Sequence, residues 1–107
     1  MRHEITPERA GQVGAAVSRA VRTTGSPSAP DVEALLHAAV RDLLRAGATV
    51  DEVHDALGAL FETLRVQHGE TARVRLALGV MQTQTRSYAL ERAYSEPHTW
   101  SDEGQRL

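Results

Sequence analysis

Five histidines, fourteen carboxylates and twelve arginines carry the strongest acid–base, metal-ligating and phosphate-binding chemistry in this chain of 107 residues. With no cysteine, the chain has no disulfide, thiolate metal site or cysteine nucleophile. His37 and His54 are the most suggestive pair, because they fall at the borders of two apolar repeats and have Glu33 and Glu62 as carboxylate neighbours to recruit. Metal sites in helical bundles use Glu-x-x-His pairs on facing helices. Here Glu33 precedes His37 by four residues and Glu52 precedes His54 by two, so that triplet is absent. His68 reads as a cation at a helix C-terminus, where the macrodipole favours it. His3 and His98 are near the chain ends. Asp51, Glu52 and Asp55 cluster, but the first turn of a helix stabilises acids without any ligand. Gly11-Gln12-Val13-Gly14 lies inside a helical pattern rather than between a strand and a helix, so it is no nucleotide loop. No HExxH, Walker or nucleophile-elbow pattern occurs. The expectation is a non-enzyme with no catalytic residues, no metal and no cofactor.

All the basic residues are arginine, and the chain has neither lysine nor asparagine. A GC-rich genome accounts for that usage without selection for guanidinium chemistry. The charge is unevenly placed. Residues 26–62 carry Arg41 and Arg45 against seven acids, whereas residues 63–95 carry five arginines against Glu70 and Glu91. In a packed bundle such segments complement one another internally. The segment 43–58 resembles a helix–turn–helix in its Gly-containing turn and its Val-xxx-Leu-Gly cadence. Its would-be recognition helix opens on Asp51, Glu52 and Asp55, which phosphates repel. The better nucleic-acid candidates are Arg73, Arg75, Arg86 and Arg92, with Gln82 and Gln84 as base-edge donors, although they are spread around their helix.

The elements that must position these groups are all helical. Helix 1 is expected over 7–22, with Thr6 as N-cap, Pro7 at the first position, Ile5 stapling onto Ala10 and a thin stripe of Val13, Val17, Ala20 and Val21. Gly11 and Gly14 each weaken it by about 1 kcal/mol relative to Ala. Gly11, Ala15 and Ser18 would let another backbone come close. The stretch 23–30 is composed of Thr, Gly, Ser, Ala and Pro and reads as a linker that frees helix 1 to move. Helix 2 (31–46) repeats Val32, Leu35, Leu36, Ala39, Val40, Leu43, Leu44 at helical spacing, and helix 3 (50–67) follows with Val53, Leu57, Leu60, Phe61 and Leu64. Between them, Gly47 suits a left-handed C′ position, and Thr49 and Glu52 have capping-box spacing. So short a turn predicts an antiparallel hairpin.

Helix 4 (71–94) is the longest, roughly 36 Å at 1.5 Å per residue. One face carries Val74, Ala77, Leu78, Met81, Tyr88 and Ala89. The opposite face holds Leu76, Leu90 and Tyr94, with Val80 at its edge and Thr83 and Ser87 between. A helix apolar on two faces must bury both, more than three partner helices in a monomer cover. Self-association is the simplest remedy.

The expected fold is therefore all-α: a small antiparallel bundle of four helices in a single domain over 1–95, then a C-terminal tail over 96–107. Trp100, the only tryptophan, is the candidate anchor of that tail. No apolar run approaches the roughly 20 residues of a bilayer span, and Met1-Arg2-His3-Glu4 begins no signal peptide, so a soluble cytoplasmic protein is expected. The function that fits is a protein–protein interaction module, an adaptor, regulator or small subunit. It would form a homodimer through Leu76, Val80, Thr83, Leu90 and Tyr94 of helix 4 together with Trp100. The alternative is a small nucleic-acid-binding regulator using the helix 4 arginines.

Overall fold

Four helices follow from four sets of terminal signals. The structure, a computed structural model, describes residues 3–95 and contains α1 (Pro7–Thr24), α2 (Pro30–Arg45), α3 (Val50–His68) and α4 (Ala72–Ser95). At the start of α1, the Thr6 hydroxyl accepts the Arg9 amide at 3.1 Å and Pro7 occupies the first turn. Ile5 and Ala10 both pack against the core, as a hydrophobic staple requires. The turn after α2 is a Schellman motif. Gly47 adopts φ 95°, its amide bonds the Leu44 carbonyl at 3.0 Å, and the Ala48 amide reaches back to the Leu43 carbonyl at 3.0 Å. Thr49 and Glu52 then close the capping box, with Glu52 Oε1 accepting the Thr49 amide at 2.8 Å and Thr49 Oγ1 accepting the Glu52 amide at 3.1 Å. Thr71 serves α4 in the same way, accepting the Val74 amide at 3.2 Å.

Each apolar stripe points inward. Val13 and Val17 of α1, Val32 and Leu36 of α2, Leu57 and Phe61 of α3 and Leu78 of α4 are all buried. The fold is an all-α bundle, and among the described residues no helix is long and apolar enough to cross a membrane.

Two features differ from the sequence expectation. The tight turn at 46–49 does not make α2 and α3 the principal pair. The most extensive packing is α3 on α4, followed by α1 on α2 and α2 on α4, while α2 and α3 touch least among the main pairs. The helices therefore stand around the core in the order α1, α2, α4, α3. The turn reverses the chain through extended Thr49, but α4 rather than α3 takes the place beside α2. The stretch 23–30 is also no loose tether. Helix α1 runs on to Thr24, Gly25 takes φ 78° to end it, and Pro27 is fully buried. Arg9 Nε–Asp42 Oδ2 and Arg19 Nη2–Asp31 Oδ2, both at 3.1 Å, tie α1 to α2. Helix 1 is part of the core because Val13, Ala16, Val17 and Ala20 lose almost all their contact with water.

Candidate functional site

Helix α4 is apolar on two opposite sides. Its inner stripe, Val74, Leu78, Met81, Thr85 and Ala89, is buried against α2 and α3. Thr85 enters this stripe without leaving a polar group unmet, because its hydroxyl donates to the Met81 carbonyl at 2.7 Å. Sequence pattern alone missed Thr85, since a hydroxyl does not register in an apolar repeat. Ala77 and Tyr88, expected in the inner stripe, are half-buried at its edge.

Contacts on its flanks add to the buried stripe in fixing the rotation of α4. The Tyr88 phenol stacks on His37, with ring centroids 3.7 Å apart and planes 9° from parallel, and its hydroxyl accepts a hydrogen bond from Arg41 Nη1 at 3.0 Å. On the α3 side, Arg65 Nη2 donates to Gln82 Oε1. Held in this way, α4 presents Leu76, Val80, Thr83, Ser87, Leu90 and Tyr94 along one outer line. Leu76 and Tyr94 are each 73% exposed, Val80 51% and Leu90 44%. Four of the five large exposed hydrophobic side chains among the described residues thus belong to this line; the fifth is Val66 on α3. A shallow groove runs between Leu76, Val80 and Thr83, flanked by Arg75, Gly79 and Gln84. The Thr83 hydroxyl donates to the Gly79 carbonyl at 3.2 Å, so it can be covered without losing a partner. Trp100 lies outside the described residues.

The arginines of α4 do not converge. Arg75 and Arg86 share one flank of the outer line, Arg73 lies on the other, and Arg92 is half-buried toward the inner side. Arg75 donates to the Gly69 carbonyl at 2.8 Å, which ties it to the α3–α4 turn.

The histidines are also dispersed. His37 stacks on Tyr88 rather than approaching His54, because α2 and α3 are not neighbours around the core. His3 Nε2–H donates to the Ala46 carbonyl, 3.1 Å away, and its Nδ1 lies 3.3 Å from Glu52 Oε2. The Glu52 carboxyl is held below the usual glutamate range, first by the Thr49 amide and then by His3. Asp31 is likewise held low, first by its hydrogen bond from Arg19. Among the described residues no group of three or more His, Cys, Asp or Glu side chains could hold a metal ion. An open cleft of about 680 Å³ lies between α1 and α3, lined among others by Gly11, Gly14, Ala56, His3, Asp55 and His68.

No known protein family, curated protein or solved structure matches this chain.

Proposed function

We propose that this protein is a non-enzymatic helical interaction module, an adaptor, regulator or small subunit, that works as a homodimer through the outer face of α4. The observation that carries this reading is the line of Leu76, Val80, Leu90 and Tyr94, exposed by between 44% and 73% on the side of α4 opposite its buried stripe. An exposed line of large apolar side chains, interrupted only by Thr83 and Ser87, on a helix already anchored to a core supports a protein-binding role, because leaving it in water forgoes about 25 cal/mol for each Å² that a partner would cover. A single helix face is self-complementary about a two-fold axis, and two-fold dimers are the commonest assemblies of soluble chains.

Light scattering on wild type and on the double variant Leu76→Glu/Leu90→Glu tests the proposal. The expected result is a dimeric mass for wild type and a monomeric mass for the variant, with helical circular dichroism retained in both. A monomeric wild type at all accessible concentrations removes the homodimer.

A further inference from the structure

The outer residues of α4 advance by 4-3-4-3-4: Leu76, Val80, Thr83, Ser87, Leu90, Tyr94. That is the spacing of a coiled-coil seam, in which a step of four leads from d to a and a step of three from a to d. Leu76, Thr83 and Leu90 are then d positions, and Val80, Ser87 and Tyr94 are a positions. Leu76 and Leu90 at d and β-branched Val80 at a are residues of the kind that favour two parallel strands.

The charges flanking the seam point the same way. Arg86, six residues after Val80, is a g position, and Glu91, four after Ser87, is an e position. Both side chains are exposed, and neither has an ion-pair partner among the described residues. In a parallel, in-register pair each g residue faces the e residue five positions further along the other strand. Arg86 of one copy then meets Glu91 of the other, twice by symmetry. In an antiparallel pair centred on the same seam, g faces g and e faces e. Arg86 would approach Arg86 or Gly79 of its copy and Glu91 would approach Ala77, leaving both charges without an opposite.

We infer that α4 pairs with a second copy of this chain as a parallel, in-register two-stranded coiled coil, closed by reciprocal Arg86–Glu91 ion pairs. This rests on the homodimer reading and adds its sense and register. Thr83 and Ser87 form the polar centre of the seam, which disfavours sliding by a heptad, since that would set hydroxyls against Leu90 or Leu76. Arg73, the a position preceding Leu76, would face its own copy and marks where the seam ends.

The chain has no native cysteine, so single cysteines report the sense directly. In the parallel dimer Tyr94→Cys is adjacent to its own copy, within the roughly 7 Å Cα separation a disulfide tolerates. In the antiparallel dimer the two copies of position 94 are roughly 27 Å apart, the rise over the eighteen residues from 76 to 94. The expected result is a covalent dimer from Tyr94→Cys alone and from Leu76→Cys alone under mild oxidation. Cross-linking only in a mixture of Leu76→Cys and Tyr94→Cys proteins would overturn the parallel sense while leaving the dimer intact, whereas a monomeric wild-type mass would overturn both. As a measurement that leaves the seam residues in place, Arg86→Glu and Glu91→Arg should each raise the dimer Kd about five- to thirtyfold, and the double charge swap should restore it. Failure of the double swap to recover affinity counts against the cross-pairs.

Discussion

The imidazole of His37 lies flat on the phenol of Tyr88, while Arg41, one turn further along α2, donates to the same phenol's hydroxyl at 3.0 Å. Two side chains of one helix thus grip a single side chain of another. A helix with apolar residues on opposite sides has little hydrophobic preference for which side turns inward. In α4 the larger buried side chains, Val74, Leu78 and Met81, supply part of the answer, and the Tyr88 grip supplies the rest by fixing the rotation about the helix axis. The outward aim of Leu76 and Leu90 therefore follows from the buried stripe and the flank contacts together.

Removing only the hydroxyl tests that grip. Tyr88→Phe keeps the stack on His37 but leaves half-buried Arg41 without this acceptor, which should lower stability by about 1 kcal/mol. Tyr88→Ala loses the stack as well and should be more destabilising. Urea unfolding of the three proteins, followed by circular dichroism, gives the ranking. Equal midpoints for Tyr88→Phe and wild type would show that the hydrogen bond contributes nothing.

The core makes a sharper demand. Leu57 is wholly buried at the centre of α3 and Leu43 nearly so at the end of α2. Truncating either to Ala deletes buried methyl groups and opens a cavity, a loss of about 2–5 kcal/mol. In a domain of this size that is a large fraction of the total stability. The check is the shift of the urea midpoint, with Val66→Ala as control. Val66 is 78% exposed and should move it little.

How much of this was legible in the sequence depends on whether the cause was local. Thr6, Gly47, Thr49 and Glu52 act within a few residues of themselves, and the caps they imply are the caps that form. The repeats through Leu36 and Leu57 likewise place those residues in the core. Both faces of α4 could be read from spacing, including the exposure of Leu76, Val80, Leu90 and Tyr94. What spacing could not supply was the order of helices around the core, which depends on how four stripes share one volume. The stacking of His37 on Tyr88 follows from that order, since it needs α2 beside α4. The burial of Pro27 was hidden for a related reason: the linker's composition announces a break in helix but not whether the core has room for it.

Two kinds of glycine should respond oppositely to alanine. A Cβ on Gly69 would sit 2.5 Å from the Arg65 carbonyl oxygen and 3.0 Å from Arg75 Cγ, so backbone at the α3–α4 turn must shift. Gly69→Ala should destabilise by about 1–3 kcal/mol, the range for forcing extra atoms into occupied space. Gly58 lies inside α3 with open space around its Cβ position. Gly58→Ala should stabilise by up to about 1 kcal/mol by restricting the unfolded chain and improving helix propensity. Thermal unfolding of both variants distinguishes the two cases, and a gain from Gly69→Ala would contradict the close approach.

The acid side of the stability profile should carry the signature of two carboxylates. Glu52 is held low by the Thr49 amide and by His3, and Asp31 by Arg19. A folded-state pKa below the unfolded value means that the unfolded chain takes up protons more readily in acid, so protonation favours unfolding. The contribution is fully present above the ordinary carboxylate range of about 4 and fades as the pH falls through the lower folded-state values. Glu52→Gln isolates one of the two, because an amide oxygen can still accept the Thr49 N–H in a capping box while no longer titrating. The melting temperature of wild type should exceed that of Glu52→Gln at pH 6, and the gap should narrow toward pH 3. A gap that stays constant across that window would mean that the charge on Glu52 does not strengthen the cap. Added salt should leave the Thr49 contact largely intact but weaken the exposed Arg19–Asp31 pair, so Asp31→Asn should lose its difference from wild type in high salt even at pH 6.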